Sequence, residues 1–153
     1  MLASPQSVSI ILVEDDDGHA TLVERNLRRA GLSNGFQRFK DGQEALDHFH
    51  TQDPCPGGPG AACVVLLDIK MPRVDGIEVL RQLKANPKTA PLPVIMLTTT
   101  DDPREIDRCY QLGCNVYITK PVEYDAFIEA IRRLGFFLQV VKLPPNGGTG
   151  KPA

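Results

Sequence analysis

Apolar runs alternate with amphipathic stretches along this chain. Residues 8–13 read VSIILV, a short apolar run closed by acids, the pattern of a parallel strand buried on both faces. Ala20, Val23, Leu27 and Ala30 then recur at helical spacing and stop at Gly31, which predicts a first helix. Phe36 to Phe39 predicts a weak strand, and Gln43 to Phe49 a short helix. Cys63 to Asp68 (CVVLLD) predicts a second strong strand, again ending in an acid. Val74 to Leu83 carries Ile77, Leu80 and Leu83 on one face of a helix. Val94 to Leu97 is an apolar strand followed by three threonines, and Pro103 to Leu112 is a helix with its proline in the first turn, where it is tolerated. Val116 to Ile118 predicts a short strand, and a long helix begins near Tyr124. Five strands alternating with five helices predict an α/β fold, an open, doubly wound parallel sheet with helices on both faces.

Composition narrows the function. The 153 residues suit one domain with a real hydrophobic core, here residues 8–143, flanked by an N-terminal tail (1–7) and a flexible C-terminal tail (144–153). Of 13 glycines and 13 prolines, twelve fall in two short segments. One of these is PCPGGPG at 54–60, read as a surface loop, and the other is the C-terminal tail. Seventeen basic against nineteen acidic residues leave a net charge of −2, which argues against a nucleic-acid partner. No apolar run reaches the length of a membrane span and no secretory signal is evident, so the expected compartment is the cytoplasm. Cys55, Cys63, Cys109 and Cys114 form no C-x-x-C pair and have no histidine at ligand spacing, which favours thiols over a zinc site.

In a doubly wound sheet the site lies beyond the carboxyl ends of the strands. The residues at those ends are Glu14 and Asp15, Asp68, Thr98 and Lys120, so three acids, a hydroxyl and a lysine should converge on one rim. Clustered carboxylates repel unless a cation or proton intervenes, and an all-oxygen set suits Mg²⁺. A lysine and a hydroxyl beside them would stabilise a phosphoryl group on its way to a carboxylate oxygen. Asp16 and Asp17 read as first-turn residues favoured by the helix dipole, not as further ligands. His19, His48 and His50 have no partner pattern and are expected at the surface.

The ordered set Glu14-Asp15, Asp68 with Met71-Pro72 and Asp75-Gly76, Thr98, then Tyr117 and Lys120-Pro121 resembles the receiver domain of bacterial two-component response regulators. The likeness runs from about Val8 to Ile131. It implies a flavodoxin-like sheet of strand order 2-1-3-4-5, with Asp68 as phosphoacceptor. Glu14, Asp15, Asp68 and the backbone carbonyl of Lys70 would hold Mg²⁺, and Lys120 would pair with phosphoryl oxygens. Thr98 and Tyr117 would act as the switch, and the Lys120–Pro121 bond would be cis. The segment from Gly135 to Pro144 (GFFLQVVKLP), with Leu97-Thr-Thr and the long loop before Cys63, resembles the single-domain regulators that serve phytochromes. That likeness implies a phytochrome histidine kinase as partner.

The last helix carries a further expectation. At about 100° per residue, Phe127, Ile131, Leu134, Leu138 and Val141 form one stripe, and Phe136, Val140 and Leu143 fall nearly opposite. A second apolar face predicts a homodimer through this helix, aided by the neighbouring fourth helix and fifth strand. The plain alternative is a kink at Gly135 that folds both sets onto the core. No second domain is expected to follow, so output would run through protein contacts. Two other readings stay open: an aspartyl-nucleophile hydrolase, against which Lys70 stands where a second acid would be needed, and a receiver-like module that signals without phosphorylation.

Overall fold

The computed structural model describes residues 8–32, 35–51, 55 and 62–141. The expected tails at 1–7 and 144–153, Leu143 and most of the Gly/Pro-rich loop lie outside these residues. The elements run β1 (Val8–Val13), α1 (Asp17–Arg29), β2 (Phe36–Phe39), α2 (Gly42–Thr51), β3 (Ala62–Leu67), α3 (Gly76–Ala85), β4 (Val94–Thr98), α4 (Pro103–Leu112), β5 (Val116–Thr119) and α5 (Tyr124–Val140). The strands form one parallel sheet in the order β2-β1-β3-β4-β5. Among the described residues no helix is long and apolar enough to cross a membrane.

Burial follows from that order. Every residue of β1, β3 and β4 is buried, whereas β2 and β5, at the sheet edges, are half-exposed. Alternate side chains of the central strands feed two separate cores. Ile11, Val13, Val65, Leu67 and Met96 pack under the side covered by α2, α3 and α4. Ile10, Leu12, Leu66, Ile95 and Leu97 pack on the other side against Leu27 of α1 and Phe127, Ile131 and Leu138 of α5.

Helix boundaries moved where caps decide them. The third helix begins at Gly76 rather than Val74, because the Asp75 carboxylate accepts the Glu78 N–H at 2.9 Å and starts the helix there. Ala30, expected on the first helix's inner face, is buried but stands as its C-cap. The expected alternative of a kink at Gly135 does not occur: α5 is continuous to Val140. Gly135 instead allows close approach, since a Cβ there would lie 2.6 Å from the Ala30 Cβ. The Gln139 side chain reinforces the seam by donating to the carbonyl of Ala30.

Replacing a mid-helix glycine with alanine gains about 1 kcal/mol from helix propensity alone. Gly135→Ala should lose more than this, because α1 and α5 must separate to admit the methyl group. Calorimetry is expected to show Tm falling by roughly 4 °C or more. A rise in Tm would mean the two helices part without loss.

Candidate functional site

Sheet register assembles the site before any side chain is considered. Val13 of β1 pairs with Leu67 of β3, so the next residues, Glu14 and Asp68, leave the sheet side by side. The Asp68 N–H donates to the Val13 carbonyl at 3.1 Å. Thr98 of β4 pairs with Thr119 of β5, and the N–H of the following Lys120 donates to the Thr98 carbonyl at 2.6 Å. Four of the expected groups are thereby brought to one rim, and all four are buried: Glu14, Asp68, Thr98 and Lys120. Asp15 is exposed at its mouth. One oxygen from each of Glu14, Asp15 and Asp68 lies within 4.8 Å of the others.

Two loops hold these groups in place. Arg38, at the end of β2, donates to the Glu14 carbonyl from Nε at 2.9 Å and Nη2 at 2.7 Å, and from Nη1 to Asp17 at 2.8 Å. Asp16 caps α1 by accepting the His19 N–H at 2.9 Å, in keeping with the helix-end role expected for Asp16 and Asp17. On the other side, Gly76 lies so close that a Cβ would meet the Asp68 carbonyl at 1.9 Å, and its N–H donates to Ile69 at 2.8 Å. Asp75 caps and Gly76 yields space, which is the physical content of that dipeptide. Between the loops opens a cleft of about 470 Å³ lined by Asp15, Lys70, Met71, Asp75 and Glu105.

The Lys120 ammonium dominates the electrostatics. Its Nζ lies 2.5 Å from Glu14 Oε1 and 3.3 Å from Asp68 Oδ2, with all three side chains nearly closed to solvent. Burial lifts the Glu14 carboxyl from its ordinary 4.5 to about 7, and the Asp68 charge adds to the rise; Lys120 opposes both without cancelling them. Asp68 Oδ1 and Thr98 Oγ1 are buried with no hydrogen-bond partner. Orphaned oxygen atoms beside three carboxylates form a hard-donor set, and these residues fit a divalent cation.

Three expectations need correction. The Lys120–Pro121 bond is trans, since no described peptide bond is cis. Trans is the favoured isomer of an X–Pro bond, and the lysine reaches the acids without the change. His19 is half-buried and not without partners: its Nδ1 lies 3.1 Å from Lys120 Nζ and its ring packs on Phe127 at 5.4 Å between centroids. His48 is half-buried between the rings of Phe39 and Phe49, whereas His50 is exposed. Side chains in a helix lean toward its N-terminus, so a first-turn residue of α1 overhangs the strand ends, a signal that was readable for His19. Arg38 was also missed, and a lone arginine in a weak edge strand offers no such signal. Tyr117, half-buried, donates its hydroxyl to the Thr100 carbonyl at 2.6 Å, and burial pushes that phenol up to about 12.

Comparison with known proteins gives the fold a context. Residues 10–132 match the response regulator receiver domain. A response regulator receiver domain from Rhodospirillum rubrum superposes with a TM-score of 0.82 at 50% identity, covering 90% of this chain and 97% of that one. Response regulator Rcp1 of Synechocystis is 30% identical over 136 residues, 88% of this chain and 92% of its own. The Mn²⁺-bound structure of Rcp1 gives a TM-score of 0.79 over 89% of this chain and 98% of that chain. The phosphorylated cyanobacterial phytochrome response regulator RcpA gives 0.78 at 28% identity, over 89% and 97% of the two chains.

In the cation-free protein a proton competes with a metal for Glu14. Titration calorimetry with Mg²⁺ should show affinity climbing as pH passes through about 7 and levelling off above about 8. Glu14→Gln should flatten the curve. A carboxyl raised on folding contributes stability that is fully present below its unfolded value and is lost as pH rises through the folded one. Cation-free stability should therefore decline between about pH 4.5 and about pH 7 on this group's account.

Proposed function

The chain belongs to the response regulator receiver domain family, and on that premise we propose that Asp68 accepts a phosphoryl group from a partner histidine kinase in two-component signalling. Receiver domains are signalling proteins, and we assign this one no turnover beyond assisting its own phosphorylation and dephosphorylation. The observation that carries the reading is the Asp68 carboxylate itself. One of its oxygens pairs with Lys120 at 3.3 Å, the other is orphaned, and Glu14 and Asp15 stand beside it.

The chemistry asks for positioning and charge neutralisation more than for proton transfer. An Asp68 oxygen attacks the phosphorus, the bond from phosphorus to the donor's leaving group breaks, and that group departs with the bonding electrons: imidazole nitrogen from a phosphohistidine, acetate from acetyl phosphate. Glu14, Asp15, Asp68 and the Lys70 carbonyl would hold Mg²⁺, which when bound draws together the anionic carboxylate and phosphoryl oxygens. Lys120 pairs with a phosphoryl oxygen. Thr98, whose buried hydroxyl has no partner, donates to another. Tyr117 then turns inward behind Thr98, which changes the surface formed by α4 and β5.

Likeness to the cyanobacterial phytochrome response regulator RcpA supports a phytochrome as the kinase, and we assign the cytoplasm as the compartment. The outer face of α5 supports a homodimer. Phe136, Phe137 and Val140 are 54%, 49% and 73% exposed on a helix whose inner face is already buried.

Intact mass after incubation with acetyl phosphate and Mg²⁺ should show one added phosphoryl group, absent from Asp68→Asn and from chelator-treated protein. Wild type that gains nothing under any condition would leave a module that signals by binding alone. For the assembly, sedimentation should show a dimer that Phe136→Glu converts to monomer without lowering Tm. A wild-type monomer at all concentrations would remove the dimer.

A further inference from the structure

An ammonium group has three N–H donors and no acceptor. Lys120 Nζ has three partners here: Glu14 Oε1 at 2.5 Å, His19 Nδ1 at 3.1 Å and Asp68 Oδ2 at 3.3 Å. Because the ammonium can only donate, His19 Nδ1 must accept. The imidazole is then neutral and carries its proton on Nε2.

The three anchors differ in kind. Glu14 and Asp68 are the carboxylates that a cation and a phosphoryl group would engage, so their hold on the lysine weakens whenever the site is loaded. His19 belongs to neither set. It is fixed from three directions: its backbone N–H donates to the Asp16 carboxylate at 2.9 Å, it sits in the first turn of α1, and its ring packs on buried Phe127 of α5. It also lines, with Leu22, Pro121, Val122 and Tyr124, the cleft between α1 and α5 that flanks Lys120.

We propose that His19 is a positioning residue for phosphoryl transfer: its neutral Nδ1 is the constant anchor that keeps the Lys120 ammonium aimed at Asp68 when Glu14 and Asp68 are otherwise engaged. The role rests on Asp68 being the phosphoacceptor. It predicts a defect in the rate of the transfer step and not in cation binding, because His19 touches none of the three carboxylates through its ring.

Two substitutions separate the acceptor from the packing. Asparagine places an amide oxygen near the position of Nδ1, whereas phenylalanine keeps the aromatic contact with Phe127 and removes the acceptor. In single-turnover phosphorylation by saturating acetyl phosphate at saturating Mg²⁺, His19→Phe should slow the limiting rate about tenfold, as loss of a hydrogen bond to a charged group does. His19→Asn should recover most of that rate, and Mg²⁺ affinity should be unchanged in both. A second measurement needs neither metal nor phosphodonor. The ring ¹⁵N signals of His19 in cation-free protein should report protonated Nε2 and unprotonated Nδ1.

Wild-type rates in His19→Phe, or a protonated Nδ1 in the wild type, would overturn the proposal. Equal slowing in both variants would reduce His19 to packing, which also overturns it. Absence of phosphorylation in the wild type would instead sink the reading of Asp68, and the ring signals would then decide the His19–Lys120 contact alone.

Discussion

One buried positive charge holds the functional end of this molecule together. Lys120 stands almost closed to solvent between two carboxylates and an imidazole, and none of these groups would be tolerated there alone. An unpaired buried ammonium would lose its proton or draw in water. Unpaired acids, 4.8 Å apart or less, would repel. The ends of β1, β3 and β5 are therefore bound electrostatically as well as by the sheet. The pairing is incomplete by design of the chemistry: Lys120 neutralises part of the acidic charge and leaves the rest to compete between protons and a cation. Burial above all, with the Asp68 charge added, lifts the Glu14 carboxyl and lets a proton compete there.

Around this charge the fold supplies rigidity from both sides. Arg38 ties the edge strand β2 to the carbonyl of Glu14, so the acidic loop is fastened at a point the acids themselves do not need. Gly76 brings the start of α3 into contact with the backbone of Asp68. The same site is thus clamped by an arginine on one flank and by the absence of a side chain on the other. These are different devices with one effect, a carboxylate whose position is set by backbone rather than by its own rotamers.

Most of this was legible in the sequence. Strands buried on both faces read as apolar runs, and each run ended in a residue with chemistry, so element order and the rim of Glu14, Asp15, Asp68, Thr98 and Lys120 followed from periodicity and a topological rule. What stayed hidden was carried by geometry across elements. The His19–Lys120 contact joins residues 101 positions apart, and the Arg38 clamp spans 24. No local pattern encodes the Arg38 clamp, and for His19 the first-turn position points to the rim but not to its partner. The proline geometry after Lys120 failed for a related reason: a likeness of motif carries residue identities, while the isomer depends on the surrounding backbone.

The register between β1 and β3 makes strand length a ruler. Both strands have six residues, paired from Val8 with Ala62 to Val13 with Leu67, and the two acids stand one step beyond the last pair. Removing one residue from either strand would draw its acid back by about 3.3 Å and turn every following side chain to the opposite core. Substitutions inside these strands change packing by degrees. Insertions and deletions change both the electrostatics and the packing at once, so the central strands can drift in composition while their length is held to a single value.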